Sequence, residues 1–163
     1  MIMFFKFLFI VGNCTVVAKK SLLFTGPFGI FAYMAGVQFI DRSKRQEARQ
    51  CLYEAVKWCN ENELKLVIFP EGTRYHDPEV LDMLPFKLGG FTSAIQTQIP
   101  IQPIVFSHYD FYDAKSKIFN PGEVRINVLE PISTEGMNEA DANQLAEKTR
   151  QLMLDTFKND VIR

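Results

Sequence analysis

The chain has 163 residues, enough for one domain with a sizeable core. Its formal net charge of −1 by itself argues neither for nor against nucleic acid. Three cysteines, Cys14, Cys51 and Cys59, are too few and too scattered for a disulfide framework and lack metal-ligand spacing. They are expected to be buried small apolar residues in a reducing environment. Fifteen phenylalanines are a heavy load, and composition favours a Phe-rich core over a lipid-facing surface. The charge is uneven. Residues 1–50 hold seven Lys or Arg against Asp41 and Glu47, so the amino-terminal part is basic and the remainder acidic. A basic part suits phosphates or an anionic membrane surface, and a solvated helix face at 44–49 accounts for some of it.

Residues 1–11 are apolar apart from Lys6, too short a run to span a bilayer and without a small-residue cleavage site. They are set apart as a short amino-terminal segment, and 12–163 are expected to form a single domain. Residues 15–18 are β-branched and predict a strand. After Lys19 and Lys20, the uncharged stretch 21–40 has near-membrane length but contains Gly26, Pro27, Gly29, Gly36 and Gln38. It reads as a helix opened at Gly26-Pro27 followed by a short strand over 37–40, with an interfacial helix as the middle possibility. Ser43 is a candidate N-cap for a helix to about residue 60, in which Ala48, Cys51, Leu52, Ala55, Val56 and Cys59 keep helical spacing. Residues 65–69 read as a buried strand, ended by Pro70, which has no N–H for a ladder. A polar, turn-like stretch follows to Leu84. Residues 85–90 lead into a helix to about residue 98, and 101–106 predict a strand interrupted by Pro103. Val124, Ile126 and Val128 alternate with Arg125 and Asn127, as in a half-buried strand. A final helix runs from about 138 to 158, with Leu145, Leu152, Met153 and Phe157 toward the core. Alternating strands and helices imply an α/β fold with a mixed or largely parallel sheet flanked by helices.

Ligands of such sheets gather beyond the carboxyl ends of strands. Two loops satisfy that rule, Asp41-Arg42 and Glu71-Gly72-Thr73-Arg74. Each puts an arginine just past a strand, and a planar guanidinium fork suits phosphate. Gly72 lets backbone approach a ligand, and Thr73 adds a neutral donor. Glu71 is unusual in an anion site. It suits accepting from a substrate hydroxyl, or holding Arg74 or a backbone amide in place. Lys87 is a third cation for the same phosphate. The candidate phosphate-binding set is therefore Arg42, Glu71, Gly72, Thr73, Arg74 and Lys87.

Phe69-Pro70-Glu71-Gly72-Thr73-Arg74 resembles the signature block of the glycerolipid acyltransferases, specifically the 1-acyl-sn-glycerol-3-phosphate acyltransferases. Four further blocks fall in that family's order: Ala18-Lys19-Lys20-Ser21-Leu22-Leu23, Gly36-Val37-Gln38-Phe39-Ile40-Asp41-Arg42, Leu84-Pro85-Phe86-Lys87-x-Gly89 and Ile99-Pro100-Ile101-Gln102-Pro103-Ile104-Val105. The resemblance implies transfer of an acyl group from acyl-CoA to the 2-hydroxyl of lysophosphatidic acid, giving phosphatidic acid. It implies that the Glu-Gly-Thr-Arg and Asp-Arg blocks bind the acceptor's phosphate and glycerol. It also implies a membrane surface as partner, the endoplasmic reticulum membrane as location, no nucleic acid, and no cofactor beyond acyl-CoA as co-substrate.

The resemblance implies in addition a His-x-x-x-x-Asp motif ahead of the Ala-Lys-Lys block, whose histidine is the general base and whose aspartate orients it. That position falls at or before Met1, so the expectation is an amino-terminally truncated domain without its catalytic base. His108 and Asp113 have the formal spacing but follow the late strand. His108 is expected to be a strand-end polar residue and His76 a solvated loop residue. Ser107 lacks the flanking elbow of a serine hydrolase, and Glu71 beside Arg74 is a poor base. The alternatives are a non-catalytic lysophospholipid-phosphate binding or regulatory module, and an unrelated phosphate-binding α/β protein.

Overall fold

Thr15, Val16 and Val17 favour extended backbone, and they form the middle of β1 (Cys14–Lys19), the central strand of the parallel sheet. The computed structural model describes residues 12–41, 44–73, 82–107, 111–113 and 118–161. β1 pairs in parallel with β2 (Gln38–Ile40) on one side and β3 (Lys65–Val67) on the other, giving the order β2-β1-β3. The two ladders divide β1 between them. Cys14–Val16 face Lys65–Val67, and Val17–Lys19 face Gln38–Ile40. β3 therefore leaves the sheet while β1 still has three residues to run, two residues earlier than the sequence predicts. Pro70 explains why pairing cannot resume, and the departure opens the β3 side of the edge to the loop that follows.

Between β1 and β2 the chain makes a 3-10 turn (Lys20–Phe24) and helix α1 (Pro27–Met34), with Pro27 in the first turn, where its missing N–H costs nothing. The predicted break at Gly26-Pro27 is thus the boundary between two elements. Gly36, at φ +76°, turns the chain into β2, and its carbonyl accepts from Thr15 Oγ1 at 2.7 Å. α2 (Arg45–Glu61) crosses from β2 to β3. Its buried face is Leu52, Ala55, Val56 and Cys59, whereas Cys51 is exposed, so the cysteines are not uniformly buried as expected. Ser43, the expected cap, lies outside the described residues. Lys44 occupies the N-cap with extended backbone and pairs with Glu47 at 2.9 Å.

The core lies under α3 (Gly89–Thr97) and α4 (Ala142–Val161). Phe91 and Ile95 meet Ala142, Leu145 and Ala146, with Phe86, Leu88, Ile101 and Ile132 packed around them. α2 packs on the same α3 helix, so this core and the sheet are joined through it. Buried Thr134 bonds the Ile99 carbonyl at 3.0 Å, closing the loop beneath the cluster. Asn138, where the sequence predicts the helix to begin, caps a 3-10 turn (Glu139–Asp141) through a reciprocal box with Asp141, and α4 starts after it.

Three packing expectations are corrected. Phe91 is the only buried phenylalanine among the described residues. Phe24, Phe28, Phe31 and Phe69 are exposed, so the heavy Phe content does not build a Phe-rich core. β4 (Ile104–Phe106) pairs antiparallel with β7 (Ile126–Val128), but Ile126 and Val128 face outward, with Val128 61% exposed. Asn127 takes the inner side because its amide bonds Asp160 of α4. Leu152 is 41% exposed, and Leu154 is the buried leucine of that turn. The strand predicted over 101–106 is cut at Pro103, as expected. Ile101 makes only a bridge to Ile132, and β4 resumes at Ile104. A short antiparallel pair, β5 (Tyr112–Asp113) with β6 (Ile118–Phe119), completes the order. No helix among the described residues is long and apolar enough to cross a membrane.

Candidate functional site

All three strands of the sheet are parallel, so their carboxyl ends share one edge. β1 connects to β2 on one side, and the chain then crosses to β3 on the other. The edge beside β1 and β3 is therefore a topological switch point, where open α/β sheets bind ligands. The Asp41 loop follows β2 and the Glu71 loop follows β3, on either side of the end of β1. Lys19 and Lys20, both exposed, stand at the end of β1 between them.

The loop after β3 is held in shape by its own backbone. Gly72 N–H donates to the Phe69 carbonyl at 3.1 Å, closing a tight turn over Pro70 and Glu71. Gly72 sits at φ +70°, a conformation that disfavours any side chain. The segment 82–87 runs alongside and is fastened twice. Leu84 N–H donates to Glu71 Oε2 at 2.9 Å, and Lys87 N–H donates to the Pro70 carbonyl at 2.8 Å. The second bond lays the Lys87 side chain across Gly72. A Cβ built on Gly72 would come within 2.7 Å of Lys87 Cε and Nζ. The ammonium and the Gly72 backbone thus occupy one small region, with Thr73 exposed beside them.

Of the six predicted site residues, Glu71, Gly72, Thr73 and Lys87 are brought together. Arg42 and Arg74 lie outside the described residues, and each follows a described residue, Asp41 or Thr73, at the shared edge. His76 and His108 also lie outside them. Of the roles weighed for Glu71, holding a backbone amide is one it fulfils, and the amide is Leu84's. Sequence inspection had no signal for that bond, because the donor is a main-chain N–H thirteen residues on. Lys19 and Lys20 were legible only as part of a block, since their position between the two loops follows from the order of the strands.

No other nucleophile stands out among the described residues. Burial pushes the Cys59 thiol above its ordinary value. It does the same for Cys14, where Lys65 partly opposes the rise. Both are poorer thiolates than a free cysteine. Ser107 is buried, and its hydroxyl accepts from Arg125 N–H at 3.0 Å at the end of the β4–β7 ladder, a structural bond. No cluster of metal-ligating side chains occurs among the described residues.

A three-stranded parallel sheet with helical crossovers, and a glycine-turned, lysine-covered loop at its switch point, define an α/β domain with its candidate site at the carboxyl ends of the strands. The Acyltransferase family model matches residues 2–107, and the chain belongs to the acyltransferase family. It is 40% identical over 148 residues to human 1-acyl-sn-glycerol-3-phosphate acyltransferase alpha, covering 90% of this chain and 51% of that protein. It is 44% identical over 147 residues to the 1-acyl-sn-glycerol-3-phosphate acyltransferase of Saccharomyces cerevisiae, covering 90% of this chain and 48% of that protein. The chain spans about half the length of the curated relatives it matches. The fold is similar to the crystal structure of the 1-acyl-sn-glycerophosphate (LPA) acyltransferase PlsC from Thermotoga maritima. The TM-score is 0.64 at 22% identity, over 90% of this chain and 58% of that one.

Proposed function

We propose that this chain carries the acceptor side of an enzyme that moves an acyl group from acyl-CoA to the 2-hydroxyl of lysophosphatidic acid, giving phosphatidic acid. The observation that carries the reading is the fixed loop at the switch point, with Lys87 over Gly72 and Glu71 held by Leu84. A phosphate monoester needs cations and short donors. Arg42, Arg74, Lys87, Thr73 and the Gly72 region supply them. A glycerol hydroxyl needs an acceptor, and a carboxylate bonded once to Leu84 retains capacity to accept from it. In the reaction the hydroxyl oxygen attacks the thioester carbonyl, the new C–O bond replaces the C–S bond, and the hydroxyl proton ends on the departing CoA thiol. No residue of this chain is assigned as the base that relays that proton, and acyl-CoA is the co-substrate, with no further cofactor assigned.

Calorimetry of the purified chain in detergent tests the reading. We expect saturable binding of both lysophosphatidic acid and acyl-CoA. Arg74→Ala should weaken lysophosphatidic acid binding more than Lys117→Ala, a lysine outside the five blocks. Equal effects of the two substitutions would remove Arg74 from the phosphate. Lysolipid binding without acyl-CoA binding would favour the non-catalytic module. With both substrates present, little phosphatidic acid is expected from the acceptor side alone, and robust turnover would locate a base within these residues.

The same reading seats the chain on a membrane surface, that of the endoplasmic reticulum. The 3-10 turn and α1 present Phe24, Phe28, Ile30, Phe31, Tyr33 and Met34 to solvent, with Phe24 77% and Met34 76% exposed. Exposed Lys19 and Lys20 immediately precede them. Each lysine near an anionic surface is worth about 1 kcal/mol. Burying one large apolar side chain is worth about 1.5–3 kcal/mol, so the apolar term dominates. Co-sedimentation with phosphatidylcholine–phosphatidylserine vesicles should therefore survive high salt. It should fall further for Phe31→Ser with Met34→Ser than for Lys19→Glu with Lys20→Glu. Vesicle binding unchanged by the serine pair would rule this face out as the contact.

A further inference from the structure

Arg150 lies on α4, far in sequence from the acceptor loop, and its side chain is 17% exposed. Its guanidinium grips two consecutive residues. Nη2 donates to Asp82 Oδ1 at 2.8 Å and to the Met83 carbonyl at 2.6 Å, and Nε donates to the same carbonyl at 3.1 Å. Asp82 Oδ1 also accepts from Met83 N–H at 2.8 Å, so one carboxylate oxygen serves the arginine and the turn together. Glu147, one helical turn earlier, steadies the guanidinium from 3.6 Å. The next residue after this grip is Leu84, whose N–H holds Glu71 at 2.9 Å. Three residues further, Lys87 N–H holds the Pro70 carbonyl. Segment 82–87 is therefore a strap fastened to α4 by Arg150 at one end and to the loop by Glu71 and Pro70 at the other.

We propose that Arg150 is a positioning residue for the acceptor loop, acting through 82–84 to aim Glu71 and through the same strap to keep Lys87 over Gly72. The inference rests on the acceptor reading of that loop. A carboxylate beside phosphate-binding cations is drawn toward them unless another donor fixes it, and the Leu84 N–H is that donor. The N–H can do this only while its own backbone is held, and the grip on Asp82 and Met83 holds it. A fork is required because three donor contacts reach two adjacent acceptors from one planar group. The single ammonium of a lysine has the charge without that geometry.

The test pairs a ligand readout with a ligand-free one, using the full chain. Arg150→Gln should raise the Kd for lysophosphatidic acid roughly five- to tenfold, and Arg150→Lys should recover only part of the loss. In a Glu71→Ala background, Arg150→Gln should add little, because both substitutions break one chain of contacts. Amide hydrogen exchange at Leu84, measured without ligand, should accelerate in Arg150→Gln and in Glu71→Ala alike. If Arg150→Gln lowers Tm but leaves Kd and Leu84 exchange unchanged, or if the two substitutions add fully, Arg150 only anchors α4 and the inference is overturned. Failure of the wild-type chain to bind lysophosphatidic acid would overturn the acceptor reading, and Leu84 exchange would then decide the Arg150 linkage separately. Should Arg150→Gln not fold, Asp82→Ala removes one of the two acceptors of the grip and is read by the same measurements, with a smaller rise in Kd and faster Leu84 exchange expected and no change in either overturning the inference.

Discussion

Gly72→Ala is expected to weaken lysophosphatidic acid binding by at least about tenfold while lowering stability by only about 1–2 kcal/mol. The two numbers separate because the substitution acts in two places. At φ +70° an L-residue meets its own carbonyl, which is the stability cost and is confined to one residue. The new Cβ would also come within 2.7–2.8 Å of Lys87 Cε, Nζ and Cδ. Those atoms are the far end of a flexible, exposed side chain, so Lys87 swings away at little cost to the fold. The same swing takes the ammonium off the loop, and the site loses a cation and its close backbone together. Lys87→Ala removes the cation without the strain. In that background Gly72→Ala should cost the same stability but much less further affinity. Calorimetry and urea unfolding on the four proteins read both terms. Full additivity in binding would mean that Lys87 and Gly72 do not act as one unit.

The residues that make this loop are legible in the sequence, and the reason is chemical. Pro70 forbids further pairing, Gly72 is needed where backbone turns left-handed, and a strand end is where an α/β sheet offers a ligand site. Thr15 to Val17, the break at Gly26-Pro27 and the strand cut at Pro103 follow equally from local backbone rules. What was not legible depends on partners distant in sequence. Alternation at 124–128 marks a strand but leaves open which face is inside. Asp160, thirty-three residues on, draws Asn127 inward and leaves Ile126 and Val128 out. Helical spacing puts Leu152 two turns along the stripe of Leu145, yet the cluster with α3 is confined to Ala142, Leu145 and Ala146 at the start of α4, and beyond it Leu152 is exposed while Leu154 is buried. Glu71 could be suspected of holding an amide, but Leu84 could not be named, since every residue except proline offers the same N–H. The phenylalanine load misled for a different reason. Composition counts apolar surface without saying whether it faces protein or something else, and in the 3-10 turn and α1 it faces outward.

Gly29→Ala should destabilise the chain by about 3 kcal/mol or more, whereas Gly90→Ala should be neutral or stabilising by up to about 1 kcal/mol. Both glycines lie inside helices, α1 and α3, where alanine gains about 1 kcal/mol of intrinsic propensity. Propensity therefore predicts the same sign at both, and packing decides otherwise at one. At Gly90 the nearest neighbours of a new methyl are Ile68 Cδ1 at 3.4 Å and Cγ2 at 3.6 Å, ordinary apolar contact. At Gly29 they are the Leu23 carbonyl oxygen at 2.0 Å, its carbon at 2.6 Å and the Leu22 carbonyl oxygen at 2.8 Å. All three are backbone atoms of the 3-10 turn, which cannot rotate aside, so α1 and the turn must separate. The close approach is what holds α1 against the 3-10 turn within the uncharged stretch 21–40, the two elements that carry the exposed Phe24, Phe28, Phe31 and Met34. Gly29→Ala should consequently lose vesicle binding as well as stability, and Gly90→Ala should lose neither. A stabilising Gly29→Ala, read by urea unfolding, would mean that α1 does not pack on the turn, and the docking face would have to be rebuilt from different residues.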